Sequence, residues 1–294
     1  MKKVEEAIMT TEEIEVKLFI EGMYLKHGYD FRDYSWSHMK RRIKNKLLMS
    51  NLNSISEMQH KMLTDDAYFK SLLPEFSINV TEMYRDPEFF DYVRKEIIPL
   101  LKTYPKIKIW HAGCSTGEEV YSMAIMLQEE GVYDRCQIYA TDFNEKILEK
   151  AKEGIYPLEV VKDYTSNYIQ AGGKVNFADY YTAKYDAIIM HQSLKKNIIF
   201  ACHNVVTDQV FGEMNMIICR NVMIYFNNEL QNRVIKLFNE SLCKGGILCL
   251  GSKETLKTNE AQGYFEVYEA KQKVYRKRLI NREYNNLHRS TYFK

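Results

Sequence analysis

The stretch from 107 to 119, IKIWHAGCSTGEE, constrains what this chain can fold into more than any other, because it reads as a strand that breaks into a glycine loop and opens a helix. Ile107, Ile109 and Trp110 carry the β-branched and aromatic content of a buried parallel strand, and Pro105 is a stop signal ahead of them. Gly113 and Gly117 bracket the small residues Cys114, Ser115 and Thr116, so the backbone can turn tightly and approach a ligand without Cβ clashes. Beyond the turn, Val120, Met123, Ala124 and Leu127 recur at helical spacing as far as Gly131, which suits a C′ glycine.

A second half of the same site is expected one strand further on. QIYATD, 137–142, is a short apolar run ending in Asp142 about 25 residues past the loop, near where a Rossmann-type unit places its ribose-binding acid. The loop is neither GxGxxG nor a phosphate loop ending in GK[ST]. Glu118 and Glu119 at the helix start would repel a pyrophosphate, although carboxylates there suit the helix dipole. These residues favour a cofactor without phosphates. S-adenosylmethionine (SAM) fits: it offers ribose hydroxyls and an amino group to carboxylates, and it carries a sulfonium cation.

At 294 residues the chain has room for one large or two modest domains. Hydrophobic residues make up 46% and charged ones 27%, the balance of a soluble globular protein, and no apolar run approaches the ~20 residues that cross a bilayer. MKKVEEAIMTTEEIEVK at the start lacks the apolar core of a secretory signal, so a cytoplasmic location without membrane insertion is expected. None of the six cysteines forms a CxxC pair, so buried free thiols are expected and no metal site. Lys plus Arg exceed Asp plus Glu by only 41 to 39, which singles out no partner. Between Arg32 and Lys61, however, seven basic residues face two acidic ones.

The N-terminal region to about residue 75 reads as all-helical. Thr10 with Glu13 makes a capping box for a helix with an Ile14, Leu18, Tyr24, Leu25 stripe ending at Gly28. A second helix, 37–49, sets Met39, Ile43 and Leu47 on one face and Lys40, Arg41, Arg42, Lys44 and Lys46 around the others. Ser54 with Glu57 starts a third, and 65–73 a fourth that Pro74 closes. The basic helix suits either nucleic-acid phosphates or an acidic helical protein; with no aromatic platform for bases beside it, the protein partner is preferred.

From 76 to 85 a linker is expected, then a helix capped by Asp86 with Pro87 at N1, running through Lys102. The α/β run follows: strand 107–112, helix 118–130, strand 137–142, helix 144–153. An antiparallel excursion, read from the alternating and β-branched run 180–191 with its Lys184 break, interrupts it. Parallel order resumes with strands near 198–201 and 215–219, a helix 228–242, a Gly245-Gly246 turn, a strand 247–251 and a closing hairpin. The first domain thus spans 1–75 and the second 76–277, with a polar, basic tail at 278–294. In open α/β sheets ligands bind outside the carboxyl ends of the strands. That places Gly113, Ser115, Asp142, Phe143, His203 to Val205, Arg220 to Tyr225 and Ser252 around one cleft.

Three segments in order, NVTEMYRD at 79–86, IWHAGCSTGEEVYSMAI around the loop and ICRNVMIYF at 218–226, resemble the CheR-type chemotaxis receptor methyltransferases over most of the chain. The resemblance implies a class I SAM-dependent methyltransferase, a Rossmann-like α/β fold with a mostly parallel sheet, a small helical N-terminal domain and a small antiparallel β excursion, a β-subdomain at about 165–197. It implies methyl transfer to glutamate carboxylates on the cytoplasmic helical region of chemoreceptors, giving γ-methyl esters and S-adenosylhomocysteine, with no metal. A monomer is expected. By motif, cofactor contacts fall on Asn79, Thr81, Arg85, Gly113, Glu118, Glu119, Asp142, Asn204, Val205, Arg220 and Asn221. Arg85 and Tyr225 are the implied catalytic residues, and Lys40, Arg41, Arg42, Lys44 and Lys46 face the receptor. One departure is Met83-Tyr84, where the family often has two phenylalanines. The rival readings are a methyltransferase for another acceptor and a SAM-binding adaptor without activity.

Overall fold

The structure is a computed structural model and describes residues 8–76 and 81–279. Asn79 and the tail from 280 onward, both named above, lie outside the described residues. The chain divides into two compact units, one made of Met1–Val80 and Ile224–Gln231, the other of Thr81–Met223 and Asn232–Lys294.

The first unit contains α1 Thr11–His27, α2 Trp36–Leu48, α3 Ile55–Thr64 and α4 Asp66–Phe76. Thr10 and Glu13 form the expected capping box, and Gly28 at φ 77° ends α1. The buried stripe of α1 differs from the expected one: Val16, Phe19, Ile20 and Met23 face the core, while Ile14, Leu18 and Leu25 are exposed. α1 is apolar on more than one side, so spacing alone admits two stripes, and packing against the neighbouring helices selects one. Helix α4 also runs through Pro74 to Phe76, which packs near Phe19 and Phe31 with ring centroids 6.3 and 5.6 Å away. Burial of Leu72, Leu73 and Phe76 offsets the hydrogen bond that the proline removes.

The second unit begins with α5 Pro87–Tyr92, a π turn Val93–Ile97 and α6 Ile98–Leu101, which together make the single helix expected there. In the π turn Arg94 bonds Glu129 and Glu130 at 2.6 and 2.9 Å, so the wider turn aims a buried guanidinium at a carboxylate pair. The core then runs β1 Ile107–Ala112, α7 Glu118–Glu129, β2 Cys136–Asp142, α8 Glu145–Glu153, β3 Ile155–Pro157, α9 Val161–Gln170, β4 Tyr181–Lys184, β5 Ala187–Met190, α10 Gln192–Lys195, β6 Ile198–Cys202 and β7 Met214–Cys219. α11 Asn228–Ser241, whose first turn to Gln231 is counted with the first unit, then β8 Leu242–Leu250, α12 Asn259–Tyr264, β9 Phe265–Glu269 and β10 Val274–Lys277 complete it.

Seven strands form one sheet in the order β6-β2-β1-β7-β8-β10-β9. The first five are parallel, and β10 pairs antiparallel with both β8 and β9. The order reverses between β1 and β7, the switch point outside which an open sheet binds its ligand. The strands here are nearly continuous apolar runs, as expected where helices cover both faces. The Gly245-Gly246 turn expected before the last parallel strand is instead part of β8, with Gly245 at φ 70° beside a register shift opposite Met214. Glycine there lets the strand bulge and continue. The antiparallel excursion is a three-stranded sheet, β3-β5-β4, which starts at Ile155 because β3 also pairs with β5.

Candidate active site

The glycine loop is fastened to the end of β2. Gly113 and Cys114 both donate backbone N–H bonds to Thr141 O at 2.8 Å, and Ser115, at φ 51°, donates its N–H to Asp142 Oδ2 at 3.1 Å. Asn144 N–H reaches Asp142 Oδ1 at 3.0 Å, while the Asn144 side chain caps α8 through Lys146 N–H. Both Asp142 oxygens thus take backbone donors, and a carboxylate so held keeps acceptor capacity. Burial raises the Asp142 pKa against these backbone bonds. Gly113 is required sterically: at φ 82° an added Cβ would lie 2.5 Å from a Val222 methyl.

The two acids that open α7 have different surroundings. Glu118 is buried, accepts from Thr116 Oγ1 at 2.6 Å and from Tyr164 OH at 3.4 Å, and burial raises its pKa to about 7 against those bonds. For Glu119 burial also acts upward, yet the His111 hydrogen bond at 2.9 Å and the Arg220 charge at 3.2 Å outweigh it, and its pKa is lowered. Arg220, buried, lies 4.2 Å over the Phe89 ring, pairs with Asp86 and donates to Arg85 O at 3.2 Å. The network thus joins the segment before the sheet to the ends of β1 and β7.

On the other side of Asp142, His203 N–H bonds Asp142 O at 3.2 Å and brings in the 203–208 turn, where the Asn204 side chain accepts from Val206 N–H at 3.0 Å. Asn204, Val205 and Asn221 are half-buried, as are Thr81 and Arg85. Of the proposed cofactor residues, the strand ends therefore gather Gly113, Glu118, Glu119, Asp142, Asn204, Val205, Arg220 and Asn221. Tyr225 and the basic helix fall in the first unit. There Tyr225 O accepts from Ser35 N–H at 2.7 Å, and its ring meets His38 edge-on at 5.5 Å. Much of the basic charge is answered from within that unit: Lys40 and Lys44 pair with Glu12 at 2.8 and 2.9 Å, Lys46 with Glu75 at 3.3 Å, and Arg42 donates to Glu75 O. Arg41 is exposed.

Sequence reasoning assigned Asp86 to helix capping. At φ 57° it makes no side-chain cap bond, and its carboxylate goes to Arg220 instead. The partners of Glu118, Thr116 and Tyr164, and the buried Glu254 behind the 220–223 turn carried no spacing signal, because each contact depends on how the folded chain brings its groups together. The Met83-Tyr84 departure is absorbed by packing. Both are fully buried, with the Tyr84 ring edge-on to Phe90 and Tyr168 at 5.0 and 5.4 Å.

The residues present fit SAM. Ser115 Oγ is buried without a partner, Asp142 retains acceptor capacity for ribose hydroxyls, and the acids at the α7 start suit a ligand with an ammonium and no phosphate. Bound there, SAM supplies an activated methyl on a sulfonium. Among the described residues no group of three His, Cys, Asp or Glu could hold a metal ion. Sheet order and site together define a class I SAM-dependent methyltransferase. Residues 79–274 match the family described as CheR methyltransferase, SAM binding domain, and the chain belongs to that family. A Pseudomonas putida protein that bears a methyltransferase name, Cher3, is 49% identical over 92% of this chain and 100% of its own length. Proteins named chemotaxis protein methyltransferase from Listeria monocytogenes and Escherichia coli are 29% and 28% identical, covering 78% and 76% of this chain and 85% and 76% of theirs.

Proposed function

We propose that this chain methylates glutamate side chains on the helical cytoplasmic region of a chemoreceptor, producing glutamate 5-O-methyl esters and S-adenosylhomocysteine, and that it works as a monomer in the cytoplasm. The observation that carries the reading is the Arg220 bond to Arg85 O at 3.2 Å, which ties the backbone of Arg85 to the end of β7, next to residues proposed to hold the cofactor. A planar guanidinium suits a carboxylate acceptor, since it can grip one bidentately. The chemotaxis names of the relatives support the same acceptor. No helix among the described residues is long and apolar enough to cross a membrane.

A glutamate is already ionised at neutral pH, so the acceptor needs no general base. Holding donor and acceptor in line contributes up to ~7–11 kcal/mol in favourable intramolecular cases. In this reading Arg85 orients the acceptor carboxylate, and Tyr225 remains the second proposed catalytic residue. The N-terminal segment 1–75 recognises the receptor through Lys40, Arg41, Arg42, Lys44 and Lys46, and most of the chemistry falls to 76–277. Asn79 and Thr81 remain proposed cofactor contacts. A receptor fragment with glutamate at its methylation sites should take up labelled methyl, and the same fragment with glutamine at those sites should take up none. Equal labelling of both, or of neither, would reject the acceptor.

A further inference from the structure

Behind the turn that carries Arg220 and Asn221 lies a carboxylate with no place in the reading above. Glu254 is 4% exposed, and its two oxygens accept four backbone N–H bonds. Oε1 takes Val222 at 3.0 Å and Met223 at 2.7 Å; Oε2 takes Asn221 at 3.0 Å and Gly251 at 2.6 Å. Three of these donors are consecutive. Asn221 sits at φ 61°, so the 221–223 amides converge as a small anion-binding nest, and the chain fills it with its own carboxylate. Asparagine tolerates this left-handed conformation better than most residues, and its surroundings hold it there. The packing around the turn does so on two further sides. Val222 fills the space left by the missing Cβ of Gly113, and a Cβ on Gly251 would lie 2.7 Å from Glu254 Oε2 and 2.8 Å from Asn221 N.

We propose that Glu254 is a positioning residue for the cofactor site: its carboxylate fixes the 221–223 backbone so that Asn221 is presented to SAM while the turn stays packed on the glycine loop. The inference rests on the assignment of Asn221 as a cofactor contact. Its chemistry is specific to a carboxylate. A glutamine side chain in its place would keep the volume, but the amide NH₂ would face N–H donors at one end, so at least one pair of bonds is lost. A buried donor left unpaired then pulls the turn out of shape.

The test uses the whole chain as wild type, Glu254→Gln, Asn221→Ala and the double variant, with S-adenosylhomocysteine binding measured by calorimetry. Glu254→Gln should weaken binding at least tenfold, and adding Asn221→Ala should cost little more, because the carboxylate acts through that residue. Additive losses, the signature of a general loss of structure, would overturn the proposal. Unchanged binding in Asn221→Ala would remove the assignment on which it rests; weakened binding in Asn221→Ala with wild-type binding in Glu254→Gln would reject the role of Glu254 alone. Should Glu254→Gln not fold, amide exchange in the wild-type, cofactor-free chain decides. Protection of the 221–223 amides comparable to β7 supports the clamp, and exchange at surface-loop rates contradicts it.

Discussion

Asp142→Ala should weaken binding of both SAM and S-adenosylhomocysteine by roughly a hundredfold, and to the same degree. Hydrogen bonds to a charged group contribute about 1.5–3 kcal/mol each, and the carboxylate is the acceptor proposed for the ribose, which donor and product share. The loss has a second origin inside the protein. Ser115 and Asn144 N–H groups, now satisfied by Asp142 at 3.1 and 3.0 Å, would be left without their acceptor, so the glycine loop loosens from β2 as well. The glycine-loop bonds to Thr141 O survive, so the fold should persist and the defect should appear in affinity rather than in expression. Calorimetry on the purified variant checks this. Affinity within about threefold of wild type, under 1 kcal/mol, would show that the strand-end acid does not hold the ribose.

Arg220→Met has the largest expected effect on stability. The guanidinium is 2% exposed and its removal leaves Glu119, 16% exposed, as a largely buried charge without its cationic partner; breaking such a pair costs about 3–5 kcal/mol. Asp86 contributes less to that sum, because its side chain is 43% exposed and water can answer it. At roughly 2–4 °C per kcal/mol for a domain of this size, Tm should fall on the order of 10 °C. The pH dependence gives the loss a signature. Glu119 has a lowered folded pKa, so its stabilisation is full above its ordinary value of 4.5 and is lost as pH falls through the lowered one. In the variant that acid-side loss should shrink, since burial then acts upward on Glu119 with only His111 opposing it. A variant as stable as wild type at neutral pH would mean that the cluster is solvated rather than structural.

How far the sequence led can be judged from particular residues. The parallel run from β1 to β7 was legible because each strand is a short apolar stretch between polar or glycine-containing segments, and those signals are local. The Thr10 and Ser54 caps were legible for the same reason, and each makes its bond as expected. The buried face of α1 was not, since two apolar stripes compete on one helix and the choice is made by neighbours. Pro74 and Gly245 were read as ends of elements from their intrinsic preferences, which tertiary packing overrides here. Asp86 shows the same conflict at the site: its position suits a cap, but the pull of the buried Arg220 is stronger. Glu254 was invisible because a single glutamate after a strand looks like any other until the backbone amides that surround it are folded into place.

Whether the methyl group ends on a carboxylate is decided by the alkali stability of the product bond. Labelled SAM is incubated with this chain and membranes holding candidate receptors, and the labelled protein is then exposed to mild alkali. A γ-glutamyl methyl ester hydrolyses under those conditions, so the label is expected to leave as methanol. Label that stays on the protein through alkali, or that appears on nucleic acid or a small molecule instead, would contradict it.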